Sequence, residues 1–508
     1  MVHRYAPVPP IDCEEGVTDD VMAVNHLLDI PPELLSHVFA HLDHPGLCST
    51  IRVCREFHLL AEPFLYRDVR ILNSSQGTGL VFAFSKDPRR VAWVRSLLVS
   101  TKFGDEGGLS ALPPWIVEMD NLRDLRLETP DCNMRDPDER IAWIQLQDRY
   151  ERIFEQASIL LPPAQRRLQK LRTCTVHLVD EQREMITLRR HSALFLHPNL
   201  RSLTISCAST DFVHALPAPL VRDLSLTRTT KLEHLHLEEC DLNTSTLMKL
   251  LRLSSELKSL KISEGIRYDN TIFSRQSRRH GNVTPDSLVE AIAKYCSKSL
   301  TQLSLALGHF RRSHESITSR GHHLNLTLFD NLRRLDLNMR TCNLIRLAPY
   351  CDHLTYRRLP ASLETLRIFS IPLAPRTRPF RAMDGVYLPI KECFVQEKQK
   401  HGIPILDTVI FSYEYYDADE RASLATSEEG EVIEHTPQVP LAQARIKRAC
   451  NKLRNTYREA NVRLLIEMVT LPAGFIPPYL YPEESPSSDI LWDSAAAIES
   501  DSGIYWAK

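Results

Sequence analysis

Leu232-Glu-His-Leu235-His-Leu237-Glu-Glu-Cys240-Asp-Leu242 decides how most of this chain is read. Its first three leucines fall at positions one, four and six. The last two alternate with polar residues, the period-two signature of a strand with one buried face. The leucine three residues upstream anchors the turn into that strand. The same spacing recurs on both sides. Strong copies are Leu122/Leu125/Leu127, Leu200/Leu203/Ile205, Leu257/Leu260/Ile262, Leu300/Leu303/Leu305, Leu332/Leu335/Leu337 and Leu363/Leu366/Ile368. Weaker copies are Val94/Leu97/Val99, Leu406/Val409/Phe411 and Val462/Leu464/Ile466.

Helical stretches lie between the copies. Thr284 is a plausible cap and Pro285 suits a first helical position, with Leu288, Ala291, Ile292 and Tyr295 sharing the face that follows. Others are expected over Asp136–Ala157, Thr246–Leu253 and Leu441–Glu459. A strand-turn-helix unit buries its apolar face only by stacking on its neighbours. The pattern resembles the leucine-rich repeat family, with Leu232–Leu242 its fullest copy. The other copies lack the Asn/Cys of that pattern, and their spacing runs from roughly 25 to 45 residues rather than 20–29. The resemblance implies an irregular, insertion-bearing solenoid over 90–470. The rival is an ordinary α/β domain with leucine-rich strands, although doubly wound sheets favour continuous Val and Ile runs.

A different pattern precedes the repeats. Leu28-Asp-Ile30-Pro31-Pro32-Glu33-Leu34-Leu35-Ser-His37-Val38-Phe39-Ala-His41-Leu42 places Leu34, Leu35, Val38, Phe39 and Leu42 on one broad helical face. Pro32 fits the first turn, where its missing N–H costs nothing. Asp43 is a candidate cap for a short second helix through Leu47 and Ile51. A third helix follows over Val53–Ala61, and Pro63 is expected to interrupt it. Three short helices without disulfides or metal make a marginal core. Their apolar face therefore packs on the repeats or meets another protein, and the residues alone leave both open.

Residues 28–69 resemble an F-box: a proline-led LPxELLxxIFxxL pattern, a gap, then Val53-Cys54-Arg55-Glu-Phe57 and Ala61-Glu-Pro63-Phe-Leu65-Tyr66-Arg67-Asp-Val69, with Ile30 in the usual leucine position. The resemblance implies docking on a Skp-type adaptor and, through it, a cullin scaffold of an SCF-type ubiquitin ligase. Position by position it nominates Pro31, Leu34, Leu35, Val38, Phe39, Leu42, Leu47, Val53, Cys54 and Phe57. About half would contact the adaptor, with Pro31, Leu34, Val38 and Phe39 foremost, and the rest would hold the fold. An F-box followed by leucine-rich repeats is itself a family arrangement, in which the repeats receive the protein substrate. The expected architecture is α/β, a small three-helix F-box followed by an irregular leucine-rich-repeat-like solenoid. Residues 1–26 read as a flexible leader, 27–71 as the F-box, 90–470 as the substrate-binding domain and 476–508 as an extended acidic tail. The alternative function is a non-ligase scaffold that localises or protects a partner.

Composition bounds these readings. The 508 residues are 43% apolar and 25% charged, which excludes disorder throughout. Leucine makes up roughly one residue in seven, well above an ordinary share. With 62 basic and 64 acidic residues the net charge is −2, so no global field holds a polyanion and nucleic acid would need a local patch. No apolar run approaches a membrane span, and the N-terminus lacks a secretory core. Twelve scattered cysteines read as reduced thiols, pointing to cytoplasm and/or nucleus.

Catalytic motifs and cofactor signatures are missing from the sequence, so a non-catalytic receptor with no cofactor is expected. Ser255-Glu-Leu-Lys258 matches an SxxK pattern but falls in a repeat entry turn. His37 and His41 have a metal-compatible spacing, yet no third ligand completes a set, and a solvated helix flank is the simpler reading. Arg275, Arg278, Arg279 and His280, echoed by Arg311, Arg312 and Arg320, fall where repeat spacing is long. The five arginines from 275 to 312 are candidates for holding an acidic or phosphorylated substrate, against the plainer reading of a solvated loop. Glu414–Glu434 carries the opposite bias and reads as a mobile acidic loop.

Overall fold

The computed structural model describes residues 30–100, 109–128, 149–177, 186–206, 208–209, 226–240, 244–264, 285–306, 325–338, 359–372, 405–416, 438–471 and 487–495. The chain divides between Val69 and Arg70 into two compact units.

Among the described residues the first unit holds three helices: α1 (Pro32–Phe39), α2 (His44–Thr50) and α3 (Arg55–Leu65). Pro32 opens α1, and the Pro31 carbonyl accepts the N–H groups of Leu34 and Leu35. Asp43 caps α2 as expected, its carboxylate accepting the Gly46 N–H at 2.9 Å. A Cβ at residue 46 would lie 2.8 Å from that carboxylate oxygen, so a larger residue there would displace the capping side chain. The Cys54 sulfur accepts the Phe57 N–H at the start of α3. Pro63 does not interrupt α3, contrary to expectation: the helix continues to Leu65. Standing in the last turn, Pro63 forfeits one intrahelical bond, and helix ends tolerate that loss. Leu35, Phe39, Leu47, Phe57 and Ala61 form the core, with the Phe39 and Phe57 rings edge-on at 5.3 Å.

The second unit is a parallel-strand sheet with helices between strands, a mixed α/β architecture. Its strands are β1 (Asp68–Ile71, spanning the division between units), β2 (Ser96–Ser100), β3 (Asp124–Glu128), β4 (Thr173–His177), β6 (Ser202–Ser206), β8 (His234–Cys240), β9 (Ser259–Glu264), β10 (Gln302–Ala306), β11 (Arg334–Asn338), β12 (Thr365–Pro372), β13 (Thr408–Tyr416), β14 (Arg463–Leu471) and β15 (Ser487–Asp493). β5 (Ile186–Thr187) and β7 (Ala208–Ser209) pair separately. The main sheet follows chain order from β1 to β15 and never doubles back. Each pairing from β2 to β14 is parallel.

Register explains the leucine spacing. Leu97, Leu125, Cys174, Leu203, Leu235, Leu260, Leu303, Leu335, Leu366, Val409 and Leu464 are successive Cα partners, none more than 1% exposed. Two residues on, Val99, Leu127, Val176, Ile205, Leu237, Ile262, Leu305, Leu337, Ile368, Phe411 and Ile466 form a second buried row. Each fully buried aliphatic side chain contributes about 1.5–3 kcal/mol relative to exposure. β4 carries a rung that the leucine spacing alone does not flag. Cys174 replaces leucine there and behaves as a small hydrophobe, with burial raising its thiol pKa.

A backbone rail runs along the strand entries. The Arg95 carbonyl accepts the N–H groups of Arg123 and Asp124, and the Arg123 carbonyl those of Arg172 and Thr173. The same double acceptance continues at Arg172, Arg201, Glu233, Lys258, Thr301, Arg333 and Glu364. Asparagines brace the rail: Asn121 donates to the Ala92 carbonyl, Asn199 to Gln169 and Asn331 to Lys298. Buried His197 adds a further clamp, Nε2 donating to the Leu168 carbonyl while Nδ1 accepts the Asn199 N–H. Leu168 adopts φ 51°, a costly conformation for leucine that its complete burial offsets.

The expected helices occur over Thr244–Leu251, Pro285–Cys296 and Gln438–Glu459, and over 149–157 of the stretch expected from 136. Residues Ile446, Cys450, Leu453, Tyr457 and Ala460 are buried at helical spacing along the last helix and the turn that follows it. β15 lies inside 476–508, read above as an extended acidic tail, yet it is paired antiparallel to β14. Trp492 explains this: its ring is 7% exposed, its indole N–H donates to Asn451, and the Arg454 guanidinium sits 5.2 Å over it.

Candidate functional site

The nominated docking residues separate by burial. Leu35, Phe39, Leu47 and Phe57 lie inside the three-helix core, and Leu42 and Cys54 pack against its edge. These six hold the module together. Phe39, placed among the foremost contact candidates from sequence, is 4% exposed and faces inward. Pro31, Leu34, Val38 and Val53 are exposed, the last three at 56%, 54% and 56%.

The α1 wheel accounts for this split. Leu35 and Phe39, four apart, point at α3. Leu34 and Val38 sit about 100° to one side of them and form their own i,i+4 pair. The apolar stripe is thus wider than the core needs, and its surplus faces outward. The core stripe of α3 is Phe57 and Ala61. Leu59, about 200° from Phe57 on the wheel, is 57% exposed and was not nominated from sequence. A leucine that far from the core stripe was the available signal.

Polar contacts set the rest of this surface. His58 uses Nδ1 to donate to the Ile51 carbonyl, while Nε2 stands 3.7 Å from the buried Glu62 carboxylate. The bond ties α3 to the turn carrying Val53. His37 and His41 are exposed, with rings edge-on at 5.0 Å. Among the described residues no group of three or more His, Cys, Asp or Glu could hold a metal ion. No helix of the described residues is long and apolar enough to cross a membrane.

Residues 27–72 match the family model described as F-box-like. The chain carries an F-box-like domain. A search of curated proteins found no match. In this F-box-like domain the model match covers the whole helical unit from α1 through α3 and the residues that lead out of it.

The other sequence candidates fall elsewhere. Arg275, Arg278, Arg279, Arg311 and Arg312 lie outside the described residues, as does the acidic stretch after Tyr416. Their attachment points are described: residues 265–284 follow β9 and residues 307–324 follow β10, two adjacent parallel strands whose C-terminal ends Ser263 and Ala306 are paired. Ser255 is structural, its hydroxyl donating to the Thr230 carbonyl, and Lys258 pairs with Glu233 at 2.8 Å.

Proposed function

We propose that this chain is a substrate-recognition subunit of an SCF-type ubiquitin ligase. The F-box-like domain docks on a Skp-type adaptor, which links it to the cullin scaffold. The sheet is a degenerate leucine-rich-repeat-like solenoid that holds a protein substrate. The observation that carries the docking is the outward pair Leu34 and Val38, with Val53, each more than half exposed beside a core already filled by Leu35 and Phe39. Large apolar side chains in such a position are stabilised by a partner that removes them from water.

Two features support the solenoid. The strand order follows the chain, whereas doubly wound sheets reverse at a switch point. Each rung repeats one buried pattern, as stacked units do. The long connections at 265–284 and 307–324 leave from the same ends of neighbouring strands, and insertions of that kind form binding faces. The chain itself then performs no covalent step. It raises the effective concentration of the substrate near the charged conjugating enzyme. The cysteine usage fits work in the cytoplasm and/or nucleus.

The test is capture of a purified Skp-type adaptor by the full chain and by a Leu34→Asp plus Val38→Asp variant. Two charges in a desolvated apolar contact cost several kcal/mol, so adaptor capture should fall by roughly a hundredfold or more with an unchanged melting curve. Undiminished capture by the folded variant refutes the docking.

A further inference from the structure

The backbone rail places one side chain per rung at the strand entries. Along its first part these are Arg95, Arg123, Arg172 and Arg201, four arginines each immediately preceding one of the adjacent strands β2, β3, β4 and β6. All four are exposed. Further along, the same position carries Glu233, Lys258, Thr301, Arg333, Glu364 and Asp407, a sequence of mixed sign. There the charges neutralise one another: Glu233 bridges Arg201 at 2.9 Å and Lys258 at 2.8 Å, and Arg333 meets Glu364 at 3.4 Å. In the first part only Arg201, at the boundary, has such a partner. Among the described residues Arg95 and Arg123 have no ion-pair partner, and Arg172 donates only to the Asn199 carbonyl. The nearby acids Glu118 and Asp124 face other cations, Arg167 at 3.3 Å and Arg126 at 3.9 Å. Asp120 adds one exposed carboxylate next to this group.

Like charges on neighbouring strands destabilise a sheet. A run of four, three of them without a carboxylate partner among the described residues, is therefore a cost that an anionic ligand offsets. We propose that Arg95, Arg123, Arg172 and Arg201 form a docking rail for a short, extended acidic segment of a partner protein. Rungs about 4.8 Å apart make the row about 14 Å long, the reach of four or five extended residues. Each guanidinium offers a planar fork to a carboxylate or a phosphorylated side chain. A long polyanion fits poorly, because past Arg201 it meets Glu233 and the mixed charges beyond. Single-stranded nucleic acid also needs stacking surfaces, and the outward side chains described on β3, β4 and β6, namely Asp124, Arg126, Thr173, Thr175, Ser202 and Thr204, include no aromatic ring.

This names a partner class for the sheet within the receptor reading, and its test is independent of adaptor docking. Binding of fluorescein-labelled oligoglutamate to the full chain is followed by anisotropy, beside a peptide of equal length alternating serine and phosphoserine. Both should bind and weaken as salt rises. The ratio of the two affinities identifies whether carboxylate or phosphate is the better occupant. Arg95→Gln, Arg123→Gln and Arg172→Gln combined should weaken peptide binding roughly tenfold or more, while Arg333→Gln changes it by less than about twofold. Adaptor capture should be intact in both variants, and peptide binding intact in Leu34→Asp plus Val38→Asp. Absence of peptide binding to the unaltered chain overturns the proposal. So does equal binding by the triple variant with its adaptor capture retained, or tighter binding of a deoxyoligonucleotide of matched charge.

Discussion

The helical domain and the sheet use the same aliphatic residues in opposite ways. In the sheet, the rung leucines from Leu97 to Leu464 line up with equally apolar rung partners and are hidden from water. In α1, Leu34 and Val38 stand beside a finished core and remain in water. The difference follows from repetition. A stack supplies its own next layer, so each apolar side chain has a partner within the chain. Among the described residues three short helices have no repeated next layer, so apolar side chains beyond the core's needs, such as Leu34 and Val38, stay exposed.

The largest effect that probes this contrast is Phe39→Ala against Leu34→Ala. Removing the buried ring should destabilise the helical domain by about 3–5 kcal/mol, while the exposed leucine changes stability by less than about 0.5 kcal/mol. Urea denaturation of both variants checks it, and similar losses would place Leu34 in the core after all.

Next comes a pH effect confined to the sheet. Burial pushes His197 down from 6.5 to about 4. The folded imidazole is therefore neutral while the unfolded one protonates as pH falls below about 6.5. Its contribution is complete above that value and is lost as pH drops toward 4, by up to roughly 3 kcal/mol. Unfolding free energies at pH 7 and pH 5 should differ less in His197→Asn than in the unaltered chain. An identical difference would assign the pH dependence to other groups.

A smaller effect belongs to the helical domain: Asp43→Ala removes the cap of α2 and should cost about 1 kcal/mol. Thermal melts measure it, and an unchanged midpoint would mean that the bond to Gly46 contributes nothing. Smallest is Lys258→Ala. Lys258 is half exposed, and Glu233 keeps Arg201, so stability should shift by no more than about 0.5 kcal/mol and adaptor capture should not change.

Much of the architecture was legible because rung spacing is a physical constraint. Leu122, Leu125 and Leu127 have to be apolar for β3 to close on β2 and β4, and the chain writes that requirement down. Leu171, Cys174 and Val176 meet the same requirement with a smaller residue, so a search keyed to leucine passes over β4. β15 was illegible for another reason. Its pairing depends on Trp492 reaching Asn451 and Arg454, contacts about forty residues apart in the chain, inside a stretch whose prolines and acids suggest no order. On α1 the sequence displays a wide stripe but not its division, since Leu34 and Leu35 are the same residue one position apart. Only the placement of α3 separates the one that supports from the one that is offered. The arginine rail was hidden because its members lie 28 to 49 positions apart and meet only through β2, β3, β4 and β6.

The doubly accepting carbonyls carry a consequence for how this molecule is made. Every such oxygen is satisfied by the rung that immediately follows it, never by one translated much later. A nascent chain leaving the ribosome therefore has, for each course, the residues that satisfy it close behind in synthesis, so the sheet needs no distant segment to extend.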